Sequence, residues 1–203
     1  MDAIAELSRK ELGMKQEKQR LTRGAKRTLN AFSKALADMI SHQSFESVTV
    51  NALCEQADYP RSTFYNYFED KFDLLNDCFS QIVDEIRLTE LTSVDDGQLL
   101  LTSFDRLYDL MSQHIEYIRK VLVHNSDGYL QTSFTNYARR MAQDLLVGKL
   151  NISQEIPDAL VVDHCLSTVL MVLDWVFIKR NIVDKNQAQQ YLVRLYGKPE
   201  LLA

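Results

Sequence analysis

Apolar residues recur at three- and four-residue intervals along most of the chain. Leu29, Phe32, Leu36, Met39 and Ile40 share one face and predict a helix over about residues 24–42. The polar stretch SHQSFES interrupts it, with Phe45 placed to enter a core. Thr49 is an N-cap residue for a short helix, VNALCEQA, whose Val50, Leu53, Cys54 and Ala57 form one face. The sequence DYP then predicts a tight turn, with Asp58 as its turn residue and Pro60 suited to a helix start. A second short helix is expected over about 61–67 and a long one to about 90, striped by Phe72, Leu75, Phe79, Ile82, Val83 and Ile86.

The polar segment LTSVDDGQ, residues 91–98, reads as a linker. Further helical patterns follow over roughly 98–113, 114–124, 127–150, 157–180 and 184–196. Alternating strand patterns are missing, and only 6 Gly and 3 Pro occur in 203 residues, so the expected class is all-α. The longest apolar run, CLSTVLMVLDWVFI, is short for a membrane span and is interrupted by Asp174. The first residues lack the apolar segment of a signal peptide, which makes the cytoplasm the expected location, with no membrane partner. Three widely spaced cysteines predict no disulfide framework.

Charge sharpens this picture. The net charge is -5, but residues 1–75 carry 11 basic and 11 acidic residues, and the acidic excess follows from residue 76 on. The first 27 residues hold eight basic residues against four acidic ones, a basic arm that is either a solvated tail or a nucleic-acid contact.

The segment PRSTFYNYFEDK gives this charge pattern a use. Two short helices joined by a tight turn behind a longer helix describe a helix-turn-helix unit. Phe64 and Phe68 supply the apolar back of the second helix, which leaves Arg61, Ser62, Asn66 and Tyr67 outward and Thr63 and Tyr65 on the flanks. Arg and Asn can bond bidentately to guanine and adenine, while hydroxyls donate to phosphate oxygens. The competing reading of this pattern is an aromatic-rich helix packed inside a bundle. It accounts for Phe64 and Phe68 but not for the outward Arg, Asn and Tyr.

Over residues 44–75 the chain resembles the TetR family of bacterial transcriptional regulators. Phe45, Thr49, Val50, Ala57, Thr63, Phe64, Tyr65, Tyr67, Phe68, Lys71, Leu74 and Leu75 fit the family pattern at fixed offsets. Ser44 and Asp58 stand where the family has glycines, and Pro60 where it commonly has a capping serine. The resemblance implies phosphate contacts from Thr49, Thr63, Tyr65, Tyr67 and Lys71, base reading by Arg61, Ser62 and Asn66, and further contacts from Asn51, Lys26 and Arg23. It also implies three parts: a flexible basic arm (1–23), a three-helix helix-turn-helix DNA-binding domain (24–75), and a larger helical ligand-binding and dimerisation domain (76–203).

From the same resemblance comes a homodimer on a near-palindromic duplex operator, formed through the helices at about 157–180 and 184–196. Val162, Val169, Trp175, Phe177 and Tyr191 are its candidate contacts. A small-molecule effector is implied as well, with Tyr108, Met111, Ile118, Phe134, Tyr137, Met141, Met171 and Trp175 as candidate lining. The expected function is therefore a repressor released from DNA by an effector. The alternative is a regulator controlled by a protein partner, and such a protein could be an activator. No catalytic motif stands out, so no enzyme activity and no cofactor are expected. His114, His124, His164 and Cys165 lack metal-site spacing, and Cys54 and Cys78 lie on apolar stripes.

Overall fold

A computed structural model describes residues 22–87, 96–126, 128–146, 156–181 and 183–197. Most of the expected basic arm and most of the linker segment lie outside the described residues. The described residues form eight α-helices: α1 (Arg23–Ile40), α2 (Val50–Ala57), α3 (Arg61–Tyr65), α4 (Lys71–Glu85), α5 (Asp96–Asn125), α6 (Tyr129–Leu146), α7 (Asp158–Leu173) and α8 (Lys185–Tyr196). A 3-10 turn (Phe45–Ser47) precedes α2, and a π-helical turn (Asp174–Ile178) extends α7.

Local chemistry sets the boundaries. Thr22 Oγ1 accepts from Ala25 N at the start of α1, and Thr49 Oγ1 accepts from Ala52 N at the start of α2. Asp58 ends α2 in the left-handed region, at φ 58°, where the Tyr59 amide bonds back to the Cys54 carbonyl. The expected turn residue is thus the one that turns, because a short carboxamide or carboxylate side chain tolerates this backbone better than most. Pro60 stands one position earlier than a first-turn proline. It is the N-cap, at φ -67°, and its carbonyl accepts from Thr63 N. Asp70 caps α4, accepting from the amides of Phe72 and Asp73, while Asp73 reaches back to the Glu69 amide. This reciprocal cap is a carboxylate version of the capping box.

Two segments depart from the periodicity. The expected helices over 98–113 and 114–124 are one 30-residue helix, α5. Its apolar stripe changes partner along its length. Leu101, Leu107, Tyr108, Met111 and Ile115 pack on a C-terminal core, whereas Val121 packs on the N-terminal one. The pattern therefore breaks where the backbone does not. In the other segment, α3 ends at Tyr65, two residues earlier than expected, and the amides of Tyr67 and Phe68 both close onto the Phe64 carbonyl.

The N-terminal core centres on an aromatic cluster. Phe32 meets Phe64 edge to face at 5.2 Å, and Phe64 lies 5.3 Å from Phe68. This core draws on α1–α4 and also on Leu130 and Tyr137 of α6, so it extends past residue 75. Helix α4 itself is continuous across that position. The C-terminal core joins Leu100 and Phe104 of α5 to Val161, Cys165, Val169 and Val172 of α7 and Leu192 of α8.

By length and composition alone, the 21 residues Asp158–Ile178 could cross a membrane, with a mean hydropathy of 1.8. Half of that segment is buried inside the protein, as in the core helix of a helical bundle.

Three of the candidate dimer contacts need correction. Val162, Val169 and Phe177 are buried within the subunit, because α7 packs against α5, α6 and α8 on its apolar face. Trp175 remains on the outer surface and meets Tyr191 edge to face at 5.8 Å.

Candidate nucleic-acid interface

The short α3 is held from behind and open in front. Phe64 and Phe68 anchor it to the aromatic core, and with them inward the rest of the helix must face out. Arg61, Ser62, Tyr65 and Asn66 are exposed, and Thr63 is half-buried on the flank. Tyr67 is the exception among the expected outward residues. It is half-buried and packs on the N-terminal core, so its ring also supports that core.

Arg61 and Tyr65 act as a pair one helical turn apart. The Arg61 guanidinium donates to the Tyr65 hydroxyl at 3.3 Å and lies 5.8 Å from the ring centroid. That hydrogen bond raises the already high Arg61 pKa, so the group stays cationic. The contact also restricts two long side chains before any ligand arrives, which lowers the entropy lost on binding.

Asn51, Glu55 and Asp58 of the α2 segment face Arg61 and Pro60 across a groove of about 400 Å³. Cys54 and Tyr59 form its floor. Burial pushes the Cys54 thiol pKa up, so it stays protonated there. Thr49 is exposed at the N-terminus of α2, and its hydroxyl oxygen is engaged as the cap. The hydroxyl proton is still available to a phosphate oxygen.

Arg23, Lys26 and Arg27 are exposed on the first turn of α1. No acidic residue occupies that turn. Cations at the positive end of a helix dipole are opposed by ~0.3–1 kcal/mol each, and a polyanion there would relieve the cost.

Lys71 corrects its expected role as a phosphate anchor. Its ammonium donates to the carbonyls of Phe45, Glu46 and Val48 at 3.0, 2.9 and 2.8 Å. An ammonium has three protons, and all three point inward to the loop before α2. The group also lies 4.8 Å from the Phe45 ring centroid. Burial lowers its pKa, as expected of a cation drawn toward a core. Lys71 thus shapes the loop that carries Thr49, and the nearby Asp70 cap orients the helix from which it reaches. The Asp70 cap was legible as an Asp-x-x-Asp spacing. The lysine's target was not, because the carbonyls lie more than twenty residues away.

The candidate effector lining does not assemble at one place. Phe134, Tyr137 and Met141 pack on the N-terminal core, where Phe79 meets Phe134 and Tyr137 at 5.6 and 5.5 Å. Met171 and Trp175 lie on the outer face of α7. Tyr108 and Met111 belong to the C-terminal core, with the Tyr108 hydroxyl donating to the Val183 carbonyl. Ile118 is half-buried further along α5. One feature of this region has no signal in the sequence. Arg119 donates to Phe177 in the π-helical turn and to Glu116, but its buried Nε has no hydrogen-bond partner.

Residues 34–78 match the model of the bacterial regulatory proteins of the tetR family. No curated protein matches the chain by sequence. Among solved structures, a TetR-family transcriptional regulator from Syntrophomonas wolfei superposes with a TM-score of 0.61 at 16% identity, covering 88% of this chain and 96% of its own. The fatty acid degradation regulator FadR from Bacillus halodurans gives 0.56 at 18% identity, covering 85% and 97%. FadR from Bacillus subtilis, solved in complex with stearoyl-CoA, gives 0.50 at 15% identity, covering 83% and 96%. The matched segment runs from mid-α1 through α4 and contains the whole helix-turn-helix unit, and the remaining helices follow the fold of those regulators. The chain thus carries, over residues 34–78, a helix-turn-helix segment that matches the tetR family model, joined to a larger all-helical region that shares its fold with solved TetR-family regulators.

Proposed function

We propose that the protein is a dimeric repressor that binds a near-palindromic operator and leaves it when a small effector occupies the C-terminal domain. The observation that carries the DNA half of this reading is the arrangement of α3. Phe64 and Phe68 are buried while Arg61, Ser62 and Asn66 face solvent at the helix that would enter the major groove. Arg61, Ser62 and Asn66 are assigned to base edges. Thr49, Thr63, Tyr65 and Tyr67 are assigned to phosphates, with Asn51 and Lys26 as further contacts. A cytoplasmic location follows from a DNA target.

The second copy is placed on the outer face of α7 and α8. Leu160, His164, Ser167, Met171 and Trp175 follow one another at helical spacing on that face, and all are exposed. Leu195 of α8 is exposed too. Exposed Leu160, Met171 and Trp175 along one helix face, with Leu195 beside them in α8, support a protein contact.

An effector with an apolar body and an anionic end suits the C-terminal domain. Met111, Ile115 and Ile118 are half-buried on α5, and the same helix carries Arg119, whose buried Nε is a donor with no partner. A solved relative of the same fold is described as bound to stearoyl-CoA. Such a ligand would release DNA by preferring the conformer in which the two recognition helices are wrongly spaced.

The test is selection of bound duplexes from a random pool by the purified protein, followed by sizing of the complex. Recovery of a two-fold symmetric sequence bound by a dimer is the expected result. Indifference to all duplexes at low salt would overturn the reading.

A further inference from the structure

The loop that leads into α2 is held from two sides. Lys71 holds it from within the DNA-binding domain. The turn between α5 and α6 holds it from the other domain.

Asn125, the last residue of α5, is 3% exposed and uses its whole amide in this contact. Its Oδ1 accepts from the Phe45 amide at 2.8 Å. The two protons of its Nδ2 go to the Ile40 carbonyl and to Val121 in its own helix, both at 2.9 Å, and the Gln43 carbonyl at 3.3 Å shares one of them. One side chain thus ties off the C-terminus of α1 and the start of the 3-10 turn, about eighty residues earlier in the chain.

Glu46 returns the contact in the opposite direction. Its carboxylate accepts from the Tyr129 amide at 2.7 Å, so a residue of the DNA-binding domain caps the first turn of α6. The rings follow the same path. Phe45 stacks on Tyr129 at 5.6 Å, and Phe72 of α4 meets it edge to face at 4.9 Å.

Three residues beyond Glu46 stands Thr49, the N-cap of α2. We infer that Asn125 and Glu46 are positioning residues for DNA binding. Through them the α5–α6 turn sets the loop Phe45–Val48, and the loop sets Thr49 and the groove-facing end of α2. The inference rests on the DNA-binding reading for its consequence, but the contact itself is independent of that reading. It means that a shift at the C-terminal end of α5 has a hydrogen-bonded route to the loop before α2.

Gly128 offers a clean way to break the contact. A Cβ at this position would sit 2.8 Å from Glu46 Oε1, so Gly128→Ala displaces the tip of a flexible surface side chain and leaves the core intact. The experiment compares the full-length protein with Gly128→Ala, Glu46→Ala and Glu46→Gln. It measures amide hydrogen exchange over residues 45–49 without DNA, and affinity for the tightest duplex recovered from a random pool. Faster exchange at 45–49 is expected in Gly128→Ala and Glu46→Ala. Affinity should fall about 3- to 10-fold, the size of one hydrogen bond, by the same factor for all duplexes and with base preference unchanged. Glu46→Gln keeps an acceptor oxygen for the Tyr129 amide and should recover most of both properties. Unchanged exchange in Gly128→Ala and Glu46→Ala overturns the inference, and so does a loss confined to one base pair. If the wild type binds no duplex, the DNA reading falls, while the exchange data still decide whether the turn holds the loop.

Discussion

The Lys71 ammonium donates to the Val48 carbonyl across 2.8 Å, and Val48 is the residue immediately before the α2 cap, Thr49. This cation is turned inward and fixes the loop that carries Thr49, the residue proposed above to meet a phosphate. Charge is then used for geometry at this position, and in the proposed complex the electrostatic pull on DNA falls to Arg61 and the exposed basic residues of α1.

Lys71→Met should therefore destabilise the protein by about 2–3 kcal/mol, since three carbonyls lose a charged donor. Lys71→Arg should not restore it, because a planar fork cannot point at three carbonyls converging on one atom. Chemical denaturation of the two variants checks both statements. DNA affinity should fall for all sequences equally, with the salt slope of binding preserved.

At the recognition helix the two members of the Arg61–Tyr65 pair should separate cleanly. Arg61→Ala should lose about 1–3 kcal/mol of discrimination at one base pair in each half-site. Tyr65→Phe removes the hydroxyl that meets Arg61 and, in the proposed complex, a phosphate. It should weaken binding to all duplexes alike. Selection from a random pool, repeated with each variant, reads both outcomes.

Asp58 holds a left-handed backbone at φ 58° with a side chain that only tolerates it. Asp58→Gly should stabilise the protein by about 0.5–1 kcal/mol, and Asp58→Val should destabilise it by about 1–2 kcal/mol. Thermal melts of the three proteins give the order directly. A wild type more stable than Asp58→Gly would show that the Asp58 side chain supplies a contact larger than the backbone strain.

Glu46 gives the junction an acid limit. Its pKa lies below the ordinary carboxylate range, chiefly because the Tyr129 amide donates to it, with Lys71 a lesser cause. A depressed carboxylate contributes stability that is present above its unfolded pKa and lost as pH falls through its folded one. The contact should hold at neutral pH and weaken below about pH 4.5, the ordinary Glu value. Protection from hydrogen exchange at residues 45–49, measured relative to the intrinsic rate at each pH, should fall over that acid range in the wild type. The acid dependence should be smaller in Glu46→Gln, which does not titrate.

The outer face of α7 provides a test of assembly. Met171 is 52% exposed and Leu160 61% exposed, so a glutamate at either position should leave the monomer fold intact. Met171→Glu should shift the protein from dimer to monomer in sedimentation. It should also abolish binding to a two-half-site duplex, because each monomer then reads only half of the operator. A dimer of unchanged affinity would place the interface elsewhere.

What could be read along the chain was whatever depends on near neighbours. The Thr49 cap, the Asp58 turn and the inward Phe64 and Phe68 all arise from residues within a turn or two of one another, and each is where the pattern placed it. The outward Arg61, Ser62 and Asn66 followed from the same local logic, since a helix with its back buried leaves its other face free.

Folding in three dimensions decided the rest. Apolar residues of α5, α6 and α7 look alike in sequence whether they meet the N-terminal core, the C-terminal core or solvent. Phe134, Tyr108 and Met171 went to those three places in turn. Polar side chains such as Lys71 and Asn125 carry no mark of the distant carbonyls they satisfy. Burial is set by contacts between segments far apart in the chain, and hydrogen bonds between such segments form only after the chain has closed the long loops between them.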